Sequence, residues 1–309
     1  MSSFDIRRPR RAPAFTRLCK AISVAVLGVA AFAAQAAGER LLVGTQSSIL
    51  EFDGHTGAFV RTFVPDHGGG LDMVQSLTLG PDGNVYASSW NNSRVLRYNG
   101  QTGEFMGAFV KRRSGGLSRP DQMAFGPDGN FYVSDRFAAA VRRYDGQTGA
   151  FMDTFVQDGR LGGFVAFTFG PDGNLYASEF NGNQRVLRFD GATGAYIDAF
   201  TKGHQAHLSA LSGLVFGSDG ELYASRFHGD LVQHFDGTTG AYLGQFVKRG
   251  AGGLDVPDYL TFGPDGNLYV AAQGSGAVMR YDGTTGEFID RFADQAGLVP
   301  KGLIFMDAP

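Results

Sequence analysis

The hydrophobic and polar positions of this chain repeat with a period of about 46 residues. One turn sequence, Gly-Pro-Asp-Gly-Asn with a single variant Gly-Ser-Asp-Gly-Glu, begins at Gly80, Gly126, Gly170, Gly217 and Gly263. A second turn sequence, Asp/Asn-Gly-x-Thr-Gly, begins at Asp53, Asn99, Asp145, Asp190, Asp236 and Asp282. Similarity of a chain to itself at a fixed period of this length indicates a repeat architecture.

Each repeat contains four short apolar runs, which predict four β-strands. In the last repeat the runs 260–262 and 268–270 flank a Pro-Asp-Gly-Asn turn. An Asp-Gly pair between two apolar runs is a hairpin signal because glycine accepts a positive φ. Residues 277–281 give a third strand, and residues 287–292 alternate between apolar and polar as a half-exposed outer strand does. Four strands per repeat at this period are typical of a propeller blade.

Counting the strands gives the number of blades. First strands lie near Leu77, Met123, Phe167, Leu214, Leu260 and Leu303. The other three strands of the repeat also occur six times each, so the sequence predicts an all-β fold, a six-bladed β-propeller with four antiparallel strands per blade. The repeat array starts with a second strand at 41–43 and ends with a first strand at 302–305. We therefore expect the C-terminal strand to pair with the N-terminal blade and close the ring.

The first 36 residues follow a different pattern. Five arginines and Lys20 precede the apolar run 21–33, and Ala34-Gln35-Ala36 follows it. A basic start, a short apolar run and an A-x-A site are typical of a secretory signal peptide, and the run is short for a transmembrane helix. We expect residues 1–36 to be a cleavable signal peptide, residues 37–309 to be one propeller domain, and the mature protein to be periplasmic or secreted. The arginine pairs leave both the Sec and the Tat route open.

Composition narrows the range of functions. Cys19 is the only cysteine and lies in the predicted signal peptide, so the mature protein has no disulfide and no thiolate metal site. The net charge of the chain is −3, and it becomes about −8 when residues 1–36 are removed. Because the mature protein is acidic, we expect it to bind no nucleic acid. We also expect no stable membrane insertion after the signal peptide is cleaved. Residues 37–309 contain no Gly-x-Ser-x-Gly, phosphate-loop or dinucleotide motif.

The blade sequences resemble a known family. The unit Phe-Gly-Pro-Asp-Gly-Asn-Leu-Tyr-Val at 262–270, followed by Val-Met-Arg-Tyr at 278–281, resembles NHL-type propeller repeats. It is also similar to the wider group that contains streptogramin lyases and gluconolactonase-like proteins. The resemblance covers residues 40–309 and implies the propeller fold. It does not choose between activities, because this fold is used by binding modules and by enzymes.

A functional site is expected where single blades differ from the others, on the face that carries the longer loops. One ring of positions precedes the first strands: Gln75, Asp121, Val165, Ser212, Asp258 and Lys301. A second ring ends the second strands: Thr45, Ser89, Asp135, Glu179, Arg226 and Ala272. Polar and aromatic residues at a concave mouth predict a ligand site, which we assign to Gln75, Trp90, Asp135, Glu179, Phe180, Arg226, Phe227, His228 and Lys301. The alternative is that Glu179 and Arg226 pair across neighbouring blades and stiffen the rim.

Metal binding has two candidate positions. Asp121 and Asp258 are three blades apart and are expected to face each other across the channel, where they could hold Ca²⁺ or Mg²⁺, although Lys301 lies beside Asp258. His204 and His207 resemble half of a zinc site without a third ligand. We expect no cofactor. Equivalent positions of the third strands, expected to pack between blades with paired charges, are Glu51, Arg97, Arg143, Arg188, His234 and Arg280.

The favoured hypothesis is an exported NHL-like module that binds a protein, peptide, glycan or small molecule through its loop face. The alternative is a lyase or lactone hydrolase at the channel mouth, with Glu179 and His228 as catalytic candidates beside Asp121 and Asp258. The resemblance argues against streptogramin-lyase chemistry, because that group places a histidine before a first strand, and none of the six positions here is histidine. A structural envelope component is a third alternative. Ligand identity and oligomeric state stay open.

Overall fold

The fold consists almost entirely of antiparallel strands. The computed structural model describes residues 39–163, 166–178, 185–201 and 211–307. Within these residues, 24 strands form six four-stranded sheets, which confirms the predicted six-bladed propeller. The helical segments in the same ranges are three 3-10 turns: Gly68–Gly70, Ser114–Gly116 and Ala251–Gly253. No helix among the described residues is long and apolar enough to cross a membrane.

The strands follow the chain blade by blade. Blade 1 contains β1 (Glu39–Gly44), β2 (Ile49–Asp53), β3 (Phe59–Val64) and, from the end of the chain, β24 (Leu303–Asp307). Blade 2 contains β4 (Leu77–Leu79), β5 (Val85–Ser89), β6 (Arg94–Tyr98) and β7 (Phe105–Val110). Blade 3 contains β8 (Pro120–Phe125), β9 (Phe131–Asp135), β10 (Ala140–Tyr144) and β11 (Phe151–Gln157).

The remaining blades have the same order. Blade 4 contains β12 (Phe167–Phe169), β13 (Leu175–Ser178), β14 (Val186–Phe189) and β15 (Tyr196–Ala199). Blade 5 contains β16 (Leu211–Phe216), β17 (Leu222–Arg226), β18 (Leu231–Phe235) and β19 (Tyr242–Val247). Blade 6 contains β20 (Pro257–Phe262), β21 (Leu268–Ala272), β22 (Ala277–Tyr281) and β23 (Phe288–Asp294). The first strand of each repeat is the innermost strand of its sheet.

The ring is closed in the predicted way. Strand β24 pairs with β1 in an antiparallel register that joins Glu39 to Asp307 and Val43 to Leu303. The guanidinium of Arg40 adds side-chain hydrogen bonds to the carbonyls of Asp307, at 3.1 Å, and Gly100, at 2.9 Å. The pairing gives blade 1 an inner strand, so that blade 1 has four strands like the other five blades.

The hydrophobic core is divided among the six interfaces between blades. Each of six clusters of buried apolar residues joins two neighbouring sheets. Tyr86 of blade 2, for example, makes edge-on ring contacts with Phe109, at 4.8 Å between centroids, and with Phe125 of blade 3, at 5.3 Å. The same tyrosine–phenylalanine contact recurs in blades 3 to 6, because the second strands of blades 2 to 6 all carry a tyrosine as their second residue. Blade 1 has Leu42 at this position.

The repeated arginines of the third strands form ion pairs within their own blades. Arg143 donates to the carboxylate of Asp153 on β11 at 2.5 Å, lies 3.9 Å from Asp128 in the β8–β9 turn, and stacks on Phe155 at 4.9 Å. Arg188 and Arg280 repeat this arrangement. The expectation of paired charges is confirmed, but the pairing lies within each blade and not between blades.

The Asp-Gly-x-Thr-Gly sequence forms a turn that rests on the preceding blade. In blade 3 the carboxylate of Asp145 accepts hydrogen bonds from the backbone and the hydroxyl of Thr148, and these bonds lower the pKa of Asp145. Gly149 has a φ of 69°, and a Cβ there would lie 2.0 Å from the carbonyl oxygen of Phe109 in blade 2. The second glycine of the motif is therefore required both by its left-handed backbone and by the close approach of two blades.

Candidate functional site

A cavity of about 200 Å³ lies at the mouth of the central channel, on the face that carries the longer loops. Its walls come from five of the six blades. The lining residues are Gln75, Arg136, Ser212, Phe227, His228, Asp258, Gln273 and Lys301. Each lies at the start of a first strand or directly after a second strand, because these are the positions where the backbone turns over the channel mouth.

One wall of the cavity is a chain of hydrogen bonds between blades 1, 2 and 6. The ammonium of Lys301, which is only 6% exposed, donates to the side-chain oxygens of Gln75, at 3.2 Å, and Gln273, at 3.3 Å. The side-chain amide of Gln273 in turn donates to the carboxylate of Asp258. Gln273 thus links the buried ammonium to the buried carboxylate and holds both in place.

A second carboxyl group, Asp121, lies beside this wall. It is 5% exposed, and its Oδ2 atom has no hydrogen-bond partner among the described residues; the nearest charged atom is Nη1 of Arg136, at 3.9 Å. The pKa of Asp121 is raised to about 8, mainly by burial and also by the negative charge of Asp258, while Arg136 and Lys301 oppose the increase. Asp121 therefore keeps its proton at neutral pH.

Asp258 is in a different protonation state. Burial also raises its pKa, but only to about 6, because Lys301 and the hydrogen bond from Gln273 favour the charged form. At neutral pH the pair consists of one neutral and one mostly ionised carboxyl group. The side chains of Arg136 and Lys301 lie beside this pair at the cavity mouth.

The channel narrows below the carboxyl groups. Gln122 and Tyr259 follow Asp121 and Asp258 on strands β8 and β20, which belong to opposite blades. The side chain of Gln122 interacts with the Tyr259 hydroxyl, and burial raises the pKa of Tyr259 to about 12. The side-chain oxygen Oε1 of Gln122 also accepts a hydrogen bond from the backbone amide of Phe167 at 3.1 Å. Gln122 therefore links the inner strands of blades 3, 4 and 6.

The structure brings together part of the predicted ligand site. Gln75, Phe227, His228 and Lys301 line the cavity. Asp135 does not: it is fully buried, and its carboxylate accepts from Arg142 at 2.8 Å and from the Ser118 amide at 2.9 Å.

The other predicted positions lie elsewhere. Arg226 ends β17, and burial lowers the pKa of its guanidinium. Trp90 contacts Arg119 on a separate part of the loop face. Five positions fall outside the described residues: Val165, Glu179, Phe180, His204 and His207. The predicted pairing of Glu179 with Arg226 falls outside them as well.

Arg136 is the cavity residue that the sequence analysis did not consider, and Ser212 and Gln273 were not assigned to the ligand site. Arg136 occupies the repeat position directly after a second strand, which is also the position of Phe227 and Gln273. The predicted ring of site residues lies one residue earlier in the repeat, at Asp135 in this blade. A comparison of the residue that follows each second strand would have identified it.

The described residues do not form a multidentate metal site. Among them, no group of three or more His, Cys, Asp or Glu side chains is placed to hold a metal ion. Asp121 and Asp258 are close enough to interact, and Arg136 and Lys301 lie beside them.

Comparison with known proteins supports the fold. No protein-family model matches the chain, and no protein of curated function matches it by sequence. Among solved structures, a chain of a nidogen/laminin complex is similar with a TM-score of 0.71 and 16% identity, over 87% of this chain and 98% of that one. A protein of unknown function from Bacteroides caccae has a TM-score of 0.63 and 14% identity, over 87% and 99%.

A virginiamycin B lyase from Staphylococcus aureus has a TM-score of 0.56 and 16% identity, over 81% of this chain and 82% of the lyase. The propeller fold that the resemblance of the blade sequences implies is thereby confirmed. At these identities the likeness concerns the fold and not the activity.

Proposed function

We propose that this protein is an exported binding module that captures a protein partner on its long-loop face, with one polar side chain of the partner entering the cavity at the channel mouth. The observation that carries the proposal is the convergence of polar side chains from five blades on one cavity. Rigid scaffolds commonly present binding residues in this way.

The size of the cavity decides what can enter it. Its volume of about 200 Å³ is smaller than the roughly 300–1,000 Å³ of typical small-molecule pockets. It suits a single side chain or a comparably small polar group. The N–H donor groups of Lys301 and Gln273 in its wall favour a carboxylate or a carboxamide over an ammonium group.

The arrangement of the wall favours binding. Lys301, Gln273 and Asp258 are held by one another before any partner arrives, so few side chains lose freedom when a group enters. The similarity to a chain of a nidogen/laminin complex, a complex of two proteins, agrees with this use of the fold.

The test uses ligands that carry one side chain each. Saturation-transfer difference NMR with N-acetyl-aspartate amide, N-acetyl-asparagine amide and N-acetyl-lysine amide should show saturable contact for the first two and none for the third. The signal should disappear in Gln273→Ala and persist in Gln101→Ala, an exposed change in a tight turn on the opposite face. Equal signals in both variants, or saturable binding of the lysine derivative alone, would contradict the proposal.

A lyase or lactone hydrolase is the second candidate, and one observation favours it. Asp121 and Asp258 are neighbouring buried carboxyl groups with different protonation states, an arrangement that supplies a general acid and a general base. Lactones and cyclic esters should then be turned over by the purified protein, with loss of turnover in Asp258→Asn. A screen without turnover, combined with binding of the aspartate derivative, would leave the binding module as the function.

A further inference from the structure

Unpaired positive charges are concentrated at the junction of blades 2 and 3. Lys111, Arg112 and Arg113 are exposed in the loop after β7, and Arg119 directly precedes β8. No ion pair involves any of these four side chains within the part of the chain that the structure describes. The protein as a whole carries an excess of acidic residues, so this local concentration of cations is a departure from its average surface.

Two aromatic residues lie against one of these cations, Arg119. The guanidinium of Arg119 is 4.0 Å from the centre of the Trp90 ring and 5.9 Å from that of Phe137, and it donates to the side-chain oxygen of Asn91. Phe137 is 69% exposed. The backbone amide of Arg113 donates to the carbonyl of Ser93, which fixes the loop to the turn that carries Trp90. We call this surface the blade 2–3 patch; it consists of Trp90, Lys111, Arg112, Arg113, Arg119 and Phe137.

The loop between blades 5 and 6 shows that the turn itself does not require these charges. Residues 109–121 read FVKRRSGGLSRPD, and residues 246–258 read FVKRGAGGLDVPD. Both loops contain a 3-10 turn, and both have positive φ at the same four positions: 113, 115, 116 and 119 in one, and 250, 252, 253 and 256 in the other.

The two loops differ at the chemically important positions. Gly250 stands where the patch has Arg113, Asp255 where it has Ser118, and Val256 where it has Arg119. Arg113 has a φ of 56°, a conformation in which arginine is less favourable than the glycine of the other loop. In addition, Arg249 has an acidic partner in Asp230, at 3.8 Å. Lys111 and Arg112 recur as Lys248 and Arg249, but the same backbone exists without Arg113 and Arg119, which indicates that these two charges serve another purpose than folding.

We propose that the blade 2–3 patch docks an acidic polypeptide segment, with carboxylates facing Lys111, Arg112 and Arg119 and an aromatic or aliphatic side chain against Phe137. The charge complementarity calls for an anionic partner. A polypeptide fits better than an anionic polysaccharide, because Arg119 covers one face of the Trp90 ring and so removes it as a stacking platform for a sugar. Trp, Arg and an exposed aromatic in one cluster are typical of protein-binding hot spots. This inference concerns a surface separate from the cavity and does not rest on the function proposed for it.

The probe is a fluorescein-labelled peptide of four Glu-Glu-Phe repeats, measured by fluorescence anisotropy. The variant Lys111→Glu/Arg112→Glu is compared with Lys248→Glu/Arg249→Glu, which makes the same charge change at the equivalent exposed positions of the other loop. We expect the affinity to fall at least roughly tenfold in the first variant and less than about twofold in the second. Thermal melting of both proteins, which should be unchanged, verifies that they are folded.

Further measurements separate the alternatives. Trp90 is the only tryptophan of the chain, so its emission should change when an unlabelled copy of the peptide binds. Phe137→Ala should weaken binding roughly fivefold without altering its dependence on salt.

Equal losses in the two charge variants would overturn the proposal, because they would mean attraction by net charge alone. Binding of polygalacturonate without binding of the peptide would overturn it in favour of a glycan. Persistence of peptide binding in Gln273→Ala would support a surface that is independent of the cavity.

Discussion

Replacement of Asp121 by asparagine should remove a large part of the pH dependence of folding stability. In the folded protein the pKa of Asp121 is raised, mainly by burial, from its ordinary value of 3.8 to about 8. Between these two values the folded protein holds a proton that the unfolded chain has released. The stability that this proton contributes is complete below about pH 4 and is lost as the pH rises through about 8.

The magnitude follows from the same shift. Each pH unit within that window is worth about 1.4 kcal/mol, so a rise from about pH 5 to about pH 8 removes at most ~4 kcal/mol through Asp121. Relaxation of the buried site reduces this figure, and we expect a relative gain of roughly 2 kcal/mol for Asp121→Asn over the same interval. Asparagine has nearly the same shape and carries no charge at either pH, so the packing around Arg136 is retained.

The assay is urea unfolding followed by far-ultraviolet circular dichroism at several pH values. The quantity of interest is the difference in unfolding free energy between Asp121→Asn and the wild type, which should increase with pH. Asp255→Asn, an exposed change on the same face, is the matched control and should leave the profile of the wild type unchanged. A difference that is the same at about pH 5 and about pH 8 would refute the assignment of a protonated Asp121.

Three further changes test the fold. Gly149→Ala should destabilise the protein by at least ~2 kcal/mol more than Gly129→Ala in urea unfolding, because both glycines have positive φ but only the first would place a Cβ 2.0 Å from a carbonyl oxygen. Leu303→Ala truncates a fully buried side chain of the closing strand and should lower the unfolding free energy by about 2–4 kcal/mol. Val299→Ala truncates an exposed side chain and should change the unfolding free energy little. Asp135→Ala should cost about 3 kcal/mol because it leaves the side chain of Arg142 without its carboxylate. A melting temperature close to that of the wild type would count against this role of Asp135.

The fold could be predicted because each element has a local signal. Turn sequences with required glycines, such as that around Asp145 and Gly149, define the hairpins, and the alternation of residues within each strand defines its two faces. The phase of the repeat at the two ends was enough to predict the pairing of β24 with β1.

The site could be predicted only in part, because its properties arise from contacts between blades. The repeat position of Gln75 and Lys301 identified the cavity mouth, but the link through Gln273 depends on which rotamer joins three blades. Asp135 and Asp121 look equivalent in sequence as single acids at strand ends. Arg142 neutralises the first, whereas the second lies deep beside another carboxyl group, and only the folded ring separates these two cases.

The order in which the chain is synthesised gives the closing strand a further consequence. Blades 2 to 6 each consist of contiguous sequence and can form as soon as their four strands have left the ribosome. Blade 1 must wait, because Arg40 meets its hydrogen-bond partner Asp307 across 267 positions of the chain. Until β24 has been synthesised, β1 lacks this neighbour, and the ring stays an open arc. An inhibitor or chaperone that occupies the free edge of β1 would therefore stop assembly at its final step.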